Sequence, residues 1–485
     1  MNRGAGAGRA LSAQILSALR RGRRLRPFLL RLGSEVESAG GALWLVGGAL
    51  RDLVEGSGAR DLDLLVTGVG IEELGRILRR LPAAALGVRR VVRAGALFPV
   101  YRIFTEWTAG PIDAAPGREP VPSPPAGRRP CETRDEHEAR ADASRRDFTM
   151  NAILFRILPR RGGLTGYLFD PFDGVGDLRR RRIRAVGDPS ERFREDPVRI
   201  LRAIRLKNER EGFAIGRETR SALRREAHLL DSCPGERISA ELRRSLSADP
   251  VRTLSDLHRG GILARLLPEI SDWAAGPLRR TKRRYRLLEE SLGRPLPEPL
   301  ANAVLLSEIA EREVRRHAGR KPGAGRAVDS RVRIRLPATE AAARRLHLPD
   351  PRRIVRLLAG RIRLDRLGNS SVPLAQAEAI LARQPDPDRL IALYDISRRS
   401  EGKTGIDLRA IRRKASRRPP LLSGADLVAA GIPEGPGLET ILLAVREAAL
   451  SGRIATREEA LRLALRIATK GPGISSSGAG SRAEG

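Results

Sequence analysis

Residues 45–52 read LVGGALRD. An apolar strand pattern runs into the glycine pair Gly47 and Gly48 and then into residues that favour a helix. Glycines let backbone N–H groups approach an anion, a helix N-terminus adds positive charge, and Arg51 adds side-chain donors beside Asp52. The segment therefore indicates a triphosphate site, although a Gly-Gly turn between a strand and a helix can also be no more than a turn.

A pair of carboxylates follows in RDLDLLV at residues 60–66. Asp61 and Asp63 are spaced i, i+2, so on a strand they point to the same face while the leucines point to the core. Two neighbouring carboxylates repel unless a cation lies between them, and hard oxygen ligands suit Mg²⁺. We predict that this pair binds catalytic metal; the alternative is a solvated strand end.

A third acid, Asp113, follows the strand-like run VYRIF at residues 100–104. Its apolar-acid-apolar setting is typical of a neighbouring strand, which would make it a further metal ligand. It could equally lie in a loop before the proline-rich stretch at residues 114–130.

The segment RRDFTMNA at residues 145–152 combines basic, acidic and amide side chains. Arg146 could hold a phosphate, while Asp147 and Asn151 could bind ribose hydroxyls. The same pattern could be a helix start that Asp147 caps.

In EDPVRILRAIR, a helix would place Asp196 and Arg199 on one face, followed by Arg202 and Arg205. An Asp acceptor beside an Arg donor matches the Watson–Crick edge of cytosine or adenine and rejects guanine and uracil. The alternative is an ordinary helix start with a solvated arginine face.

The composition is strongly basic: 91 Lys and Arg against 58 Asp and Glu give a net charge of +33. Such an excess favours a nucleic acid partner. The two cysteines, Cys131 and Cys233, lie in no metal-binding pattern, which favours a reducing cytoplasm. The apolar runs are far shorter than the roughly 20 residues needed to cross a bilayer, so the sequence excludes a membrane-spanning protein.

Strand-like patterns such as ALWLV and LDLLVT precede residue 214, and helical spacing dominates afterwards. We predict an α/β part with a mixed or antiparallel sheet, followed by an all-α part. Composition further predicts a basic N-terminal arm (1–34), a mobile loop near 114–145, a linker at 319–330 and a disordered end (471–485). The bias of the first segment would also suit a targeting peptide.

Taken in order, these motifs resemble the class II tRNA nucleotidyltransferase and bacterial poly(A) polymerase family between Leu43 and Leu266. FDPFDGVGDL, IRAVGDP and GERISAELRRSL add to the resemblance, and residues 421–454 resemble the helical tail of CCA-adding members. The chain has no His-Asp phosphohydrolase motif and no Gly-Arg-Arg-Phe run of the kind associated with poly(A) polymerases.

The resemblance implies a seahorse-like fold, Mg²⁺ as cofactor, CTP and ATP as substrates and tRNA as partner. It divides the chain into an α/β catalytic head (35–178), an all-α neck with the base template and RNA-binding helices (179–260), a body ending in the linker (261–330) and a tail that binds tRNA (331–470). It assigns metal binding to one pair of acids, triphosphate and sugar binding to the glycine and RRD motifs, and base selection to the EDPVR motif. The residues concerned are Asp61, Asp63, Gly47, Gly48, Arg51, Asp52, Arg146, Asp147, Asn151, Asp196, Arg199, Arg202 and Arg205. A CC-adding or A-adding specialist, a poly(A) polymerase and an inactive RNA-binding protein remain alternatives.

Two basic runs, Arg279–Arg284 and Arg409–Arg418, are expected to contact phosphates of the tRNA acceptor arm. The alternative is that each run is a solvated helix face.

Overall fold

The structure is a computed structural model that describes residues 3–56, 62–95, 99–117, 133–318, 334–367 and 374–470. It contains two compact units: residues 1–233 with 260–262, and residues 234–259 with 263–485. The division differs from the predicted neck, because residues 234–259 belong to the second unit. The predicted linker at 319–330, the end segment 471–485 and Asp61 lie outside the described residues.

The first unit is built on a 7-stranded sheet with the order β3-β4-β5-β2-β1-β6-β7. Its strands are β1 (Ala42–Val46), β2 (Asp63–Thr67), β3 (Val88–Ala94), β4 (Val100–Thr105), β5 (Ile112–Pro116), β6 (Leu154–Arg160) and β7 (Gly163–Phe169). The β2–β5 pair is parallel, and the other adjacent pairs are antiparallel. The mixed sheet of the prediction is confirmed.

The helices of this unit surround the sheet and continue beyond it. They are α1 (Arg3–Arg21), α2 (Leu25–Ser38), α3 (Gly47–Val54), α4 (Ile71–Arg80), α5 (Ala83–Leu86), α6 (Arg134–Ser144), α7 (Gly174–Arg179), α8 (Pro189–Glu195), α9 (Val198–Glu209) and α10 (Arg217–Arg225). Short 3₁₀ turns at Thr149–Asn151 and Ala227–Ser232 and the two-stranded pair β8 (Arg182–Ile183) and β9 (Ala214–Ile215) complete it.

The basic N-terminal segment forms α1 and most of α2, where the sequence predicted a basic arm over residues 1–34. Ile15 and Leu19 are fully buried, four residues apart on one helix face. Arg20 donates to the Leu164 carbonyl through Nε (3.2 Å) and Nη2 (2.7 Å), which ties α1 to β7 at the edge of the sheet. The helical spacing of apolar residues therefore predicts the structure of this segment better than its excess of basic residues does.

Helix α6 occupies residues that the sequence assigned to a mobile loop near 114–145. Its start is fixed by a capping box, in which Thr133 and Glu136 exchange side-chain and backbone hydrogen bonds. Ala139 and Ala143 are buried against the sheet. The prediction is therefore wrong for residues 134–144, and residues 118–132 lie outside the described part of the chain.

The second unit is helical throughout its described residues, as the sequence predicted. Its helices are α11 (Gly235–Ala248), α12 (Pro250–Arg259), α13 (Leu263–Leu266), α14 (Pro277–Leu292), α15 (Glu298–Ala318), α16 (Pro337–Arg345), α17 (Pro351–Arg366), α18 (Leu374–Ala382), α19 (Pro387–Ser400), α20 (Leu408–Arg417), α21 (Gly424–Ala429), α22 (Pro436–Ser451) and α23 (Arg457–Lys470). Among the helices described, none has the length and apolar character needed to span a bilayer.

A buried charge network in this unit includes Arg284 of the basic run Arg279–Arg284, with Arg280 at its edge. Arg284 is fully buried and bonds Glu308 (3.2 Å) and Glu311 (2.7 Å), while Arg280 forms a bidentate pair with Glu308. Burial opposes ionisation of Glu311, but Arg361 and Arg284 hold its pKa below the ordinary value. Arg284 therefore stabilises the helix packing and is not available to RNA phosphates, so the prediction is wrong for this residue. Arg280 is paired but 36% exposed, and phosphate contacts by the rest of the run stay a prediction.

Candidate nucleotidyl-transfer site

The glycine turn lies directly against one predicted catalytic carboxylate. Strand β1 ends at Val46, α3 begins at Gly47, and Asp63 at the start of β2 pairs with Val46. Gly47 has a φ of 77°, and a Cβ at this position would stand 2.4 Å from Asp63 Oδ2. Only glycine avoids both the left-handed strain and this overlap. The N-terminus of α3 and the Asp63 carboxylate are thus immediate neighbours.

The neighbouring strand brings a second carboxylate to the same place. In the parallel β2–β5 pair, Asp63 stands in register with Asp113. Adjacent strands lie about 4.8 Å apart, and residues in register share a face of the sheet. Arg102 Nε lies 3.6 Å from Asp113 Oδ1. The strand position predicted for Asp113 is confirmed, while its role as a ligand stays a prediction.

The carboxylates that the structure describes at this place supply some, but not all, of the ligands of a hard divalent cation. No group of three or more His, Cys, Asp or Glu side chains able to hold a metal occurs among the residues that the structure covers. Asp63 and Asp113 nevertheless offer two carboxylates on one face. Mg²⁺ in nucleotide-dependent enzymes is commonly held by one or two carboxylates together with substrate phosphates. These residues therefore fit Mg²⁺ without a complete protein cage.

Arg51 connects the glycine turn to the RRD motif. Its Nη1 donates to Asn151 Oδ1 at 2.8 Å, and its Nε and Nη2 donate to Asp52 Oδ1 at 3.1 and 2.9 Å. Burial and the nearby Arg210 guanidinium lower the pKa of Arg51, while Asp52 raises it. An arginine remains charged at neutral pH under such influences, so the site keeps a fixed cation.

Asp147 is the centre of the RRD motif. The residue is only 7% exposed; its Oδ1 accepts from Phe148 N (2.8 Å) and Asn151 Nδ2 (2.9 Å), and its Oδ2 pairs with Arg202 at 2.8 Å. Arg146 bonds Asp142 on α6 at 2.8 and 3.0 Å and donates to the Asn151 carbonyl at 3.3 Å. The structure therefore brings Asp147 and Asn151 of the RRD motif together with Arg202 of the EDPVR segment.

The position of Asp196 differs from the prediction. It lies between α8 and α9 in extended backbone, with Oδ1 accepting from Val198 N at 3.3 Å, whereas the sequence placed it on the helix with Arg199. Pro197 explains the difference, because proline biases the residue before it away from helical backbone. Asp196 therefore immediately precedes the helix that carries the predicted arginines.

Arg199 and Arg205 are both engaged in the protein. Arg199 donates to Glu195 Oε2 at 3.0 Å and to the Arg145 carbonyl at 2.8 Å, so it joins α8 and α9 to the RRD motif. Arg205 is 5% exposed and donates to Glu209 on its own helix at 2.6 Å. Arg199 therefore contacts the RRD motif, whereas the contact of Arg205 with Glu209 stabilises α9 itself.

Two further residues of this region were not identified from the sequence. Arg210, in a segment without a motif, donates to Asp52 Oδ1 at 2.7 Å. Asp177 is fully buried and accepts from Thr149, Arg182 and Arg184, each at 2.7 Å. Burial opposes its charge, but these hydrogen bonds hold the pKa of Asp177 below the ordinary value. The motif FDGVGDL, which contains Asp177, was the feature of the sequence that could have identified this residue.

Comparison with known families agrees with this geometry. Residues 43–184 match the family described as "Poly A polymerase head domain", and residues 212–274 match "Probable RNA and SrmB- binding site of polymerase A". Residues 43–184 are therefore similar to a poly(A) polymerase head domain, and residues 212–274 are similar to the RNA-binding region of such polymerases.

Among curated relatives, the chain is 36% identical over 236 residues to the multifunctional CCA protein of Burkholderia lata, covering 47% of this chain and 51% of the relative. It is 31% identical over 240 residues to the CCA-adding enzyme of Levilactobacillus brevis, covering 49% and 54%. The aligned part therefore spans about half the length of these relatives. The Thermotoga maritima CCA-adding enzyme complexed with tRNA shares the fold, with a TM-score of 0.64, 21% identity and coverage of 94% of this chain and 98% of that one.

Proposed function

We propose that the protein adds CCA to the 3′ end of tRNA without a nucleic acid template, using CTP and ATP and releasing pyrophosphate. The observation that carries the proposal is the pairing of Asp63 with Asp113 beside the glycine turn at Gly47. Similarity of about half of the chain to CCA-adding proteins, and of residues 43–184 to the poly(A) polymerase head domain, supports it. The RNA 3′ hydroxyl attacks the α-phosphate of the nucleotide, and the bond to pyrophosphate breaks.

Asp63, with Asp61 and Asp113, would hold Mg²⁺. When bound, the metal lowers the pKa of the attacking hydroxyl and neutralises charge on the departing pyrophosphate. The backbone N–H groups at Gly47 and Gly48 bind phosphate oxygens at the positive end of α3. Asp63 is positioned for this role because the missing Cβ of Gly47 leaves room for its carboxylate.

The RRD motif binds the rest of the nucleotide. Arg146 holds phosphate, while Asp147 and Asn151 hold the ribose hydroxyls. Their existing hydrogen bonds fix the orientation of both side chains before the nucleotide arrives. Arg51 contributes a buried positive charge next to the triphosphate. Such a fixed arrangement stabilises developing charge without the cost of reorganising side chains during the reaction.

Base selection falls to Asp196 and Arg199, with Arg202 and Arg205 supporting them. Asp196 precedes α9 and Arg199 lies in its first turn, so the acceptor and the donors come from one rigid helix start. An acceptor next to a donor complements cytosine and adenine. We expect Asp196→Ala to admit UTP and GTP; a variant still confined to CTP and ATP would contradict this role.

In the second unit, α20 offers RNA phosphates a selective surface. Arg409 and Arg412, its paired face, form ion pairs with Asp395 and Asp388 of α19. Its open face comprises Arg413, Lys414 and Arg417, which line a shallow cleft with Ala410 and Arg418 and have no ion pair within the described residues. We expect the open face to carry the phosphate contacts predicted for the run Arg409–Arg418.

The test is incubation of the purified chain with Mg²⁺ and tRNA that lacks its 3′ CCA, with CTP and ATP supplied separately and together. Sequencing of the 3′ ends should show CCA and no further addition. Addition of CC alone or of a single A would identify a specialist, and long A tails would identify a poly(A) polymerase. No addition, with tRNA binding retained, would favour an inactive RNA-binding protein.

A further inference from the structure

Helix α9 is joined to the glycine-turn helix by a closed ring of polar contacts. From Arg210, the residue after α9, the ring passes to Asp52 (2.7 Å) and on to Arg51 (2.9 Å). It continues through Asn151 (2.8 Å), Asp147 (2.9 Å) and finally Arg202 on α9 (2.8 Å). The ring thus leaves α9 at residue 210 and returns to it at residue 202.

The ring spans a large part of the helix. Eight residues separate its two ends, about 12 Å along a helical axis. Every intermediate member belongs to α3 or to the RRD motif, so the two proposed phosphate-binding segments and the proposed base-selecting helix share one frame. Arg210 also donates to Glu55 at the end of α3. The Arg210 guanidinium therefore bonds two carboxylates at once, that of Asp52 within α3 and that of Glu55 directly after it.

Arg210 and Arg51 share one acceptor oxygen. Asp52 Oδ1 accepts from Arg210 Nη2 and from Nε and Nη2 of Arg51, so one oxygen fixes both guanidinium groups. This leaves Nη1 of Arg51 directed at Asn151. The Arg210 side chain is 17% exposed, and those of its two acceptors are 24% and 25% exposed, so water screens these pairs only partly.

We propose that Arg210 is a positioning residue that sets α9 against α3, so that the choice of base is coupled to triphosphate binding. It contacts neither the base nor the phosphates and acts through Asp52 and Arg51. The proposal rests on the proposed function. A lysine at this position would keep the charge but lose the fork that reaches Asp52 and Glu55 together.

The experiment compares Arg210→Gln and Arg210→Lys with the matched control Arg446→Gln. Arg446 forms a bidentate pair with Glu378 in the second unit at 2.5 and 2.6 Å, so the control loses a similar interaction without touching the ring. Because Arg446 also bonds carbonyls of Ala415 and Arg418 next to the open face of α20, the quantity compared is the ratio of kcat/KM between nucleotides, in which any change in tRNA binding cancels. The measurement is kcat/KM for CTP, ATP, UTP and GTP on tRNA lacking CCA, together with Tm. Arg210→Gln should reduce the preference for CTP and ATP by about 10-fold, a coupling typical of linked sites, with Arg210→Lys intermediate and the control unchanged.

A lower Tm with an unchanged preference, as in the control, would overturn the proposal, because a purely structural role moves only stability. If Arg210→Gln does not fold, the test uses Glu55→Gln and Arg210→Lys. A wild-type preference for CTP and ATP in both of these variants would also overturn the proposal. Hydrogen exchange provides a readout that needs no activity, since Arg210→Gln should speed amide exchange in both α3 and α9. Unchanged exchange in α3 would break the ring argument, whereas absence of nucleotide addition by the unmodified chain would contradict only the proposed function.

Discussion

Gly47→Ala tests whether the turn between β1 and α3 is built around the Asp63 carboxylate. The added methyl group would stand 2.4 Å from Asp63 Oδ2 and 3.3 Å from its Cγ. Ordinary contact begins near 3.4 Å, so the turn and the carboxylate must separate by about 1 Å. A displacement of that size at a reacting group costs about 10²-fold in rate.

The same substitution also carries backbone strain, which must be separated from the displacement. At a φ of 77°, a residue other than glycine costs about 1–2 kcal/mol. Gly40 provides the matched control: it has the same φ of 77°, and its Cβ would meet no heavy atom within 4 Å. Gly40→Ala therefore has the strain without the contact with Asp63.

The assay is initial-rate incorporation of labelled CTP into tRNA lacking CCA, at saturating Mg²⁺, with thermal unfolding of each variant. We expect Gly40→Ala and Gly47→Ala to lower Tm, and only Gly47→Ala to lose about 10²-fold in kcat. Equal rates for the two alanine variants would refute the argument that Gly47 is required by the carboxylate.

Three further predictions concern charge. Asp63→Asn should lower the rate by at least about 10²-fold through lost metal-based charge stabilisation, with folding and tRNA binding retained; a near-normal rate would reject the metal assignment. Alanine substitution of the whole open face of α20 should weaken tRNA binding and reduce the magnitude of the slope of log affinity against log salt by about 2 to 3. If alanine substitution of the paired face reduced the slope equally, the proposed difference between the two faces would be wrong. Asp177→Asn should cost about 2 kcal/mol at pH 7. Because the folded pKa of Asp177 is lowered, its stabilisation is complete well above the ordinary pKa of an Asp side chain and is lost as pH falls through that value towards the lower folded pKa. Acid titration of unfolding should therefore show this component in the wild type and not in the variant.

The local elements of the head could be predicted because each carries its own pattern. Strand β1 is an unbroken apolar run and is buried along its whole length in the middle of the sheet. The parallel pairing of β2 with β5 could not be predicted, because periodicity identifies strands and says nothing of their neighbours. The alignment of Asp63 with Asp113 depends on that pairing.

Single residues of the site could likewise be predicted only where they belong to a sequence motif. The sequence motifs identified Arg51, Asp147 and Asn151, and the structure joins all of them by hydrogen bonds. Arg210 belongs to no motif, and only the folded chain brings it to Asp52. The extended position of Asp196 was signalled by the following proline, whose effect on the preceding backbone is stronger than the helical spacing of the arginines.

The excess of arginine has two separate consequences that net charge alone does not distinguish. Arg284 and Arg361 are buried between carboxylates, and Arg156 is buried with its guanidinium 5.4 Å from the centre of the Trp44 ring. Because such side chains have lost their water and their freedom, they hold helices and strands together and contribute little to recognition of a polyanion. Phosphate contacts are therefore to be sought where basic side chains are exposed and lack a carboxylate partner, as on the open face of α20. The charge of +33 favours a polyanionic partner, and the pattern of ion pairs indicates which arginines are free to contact it.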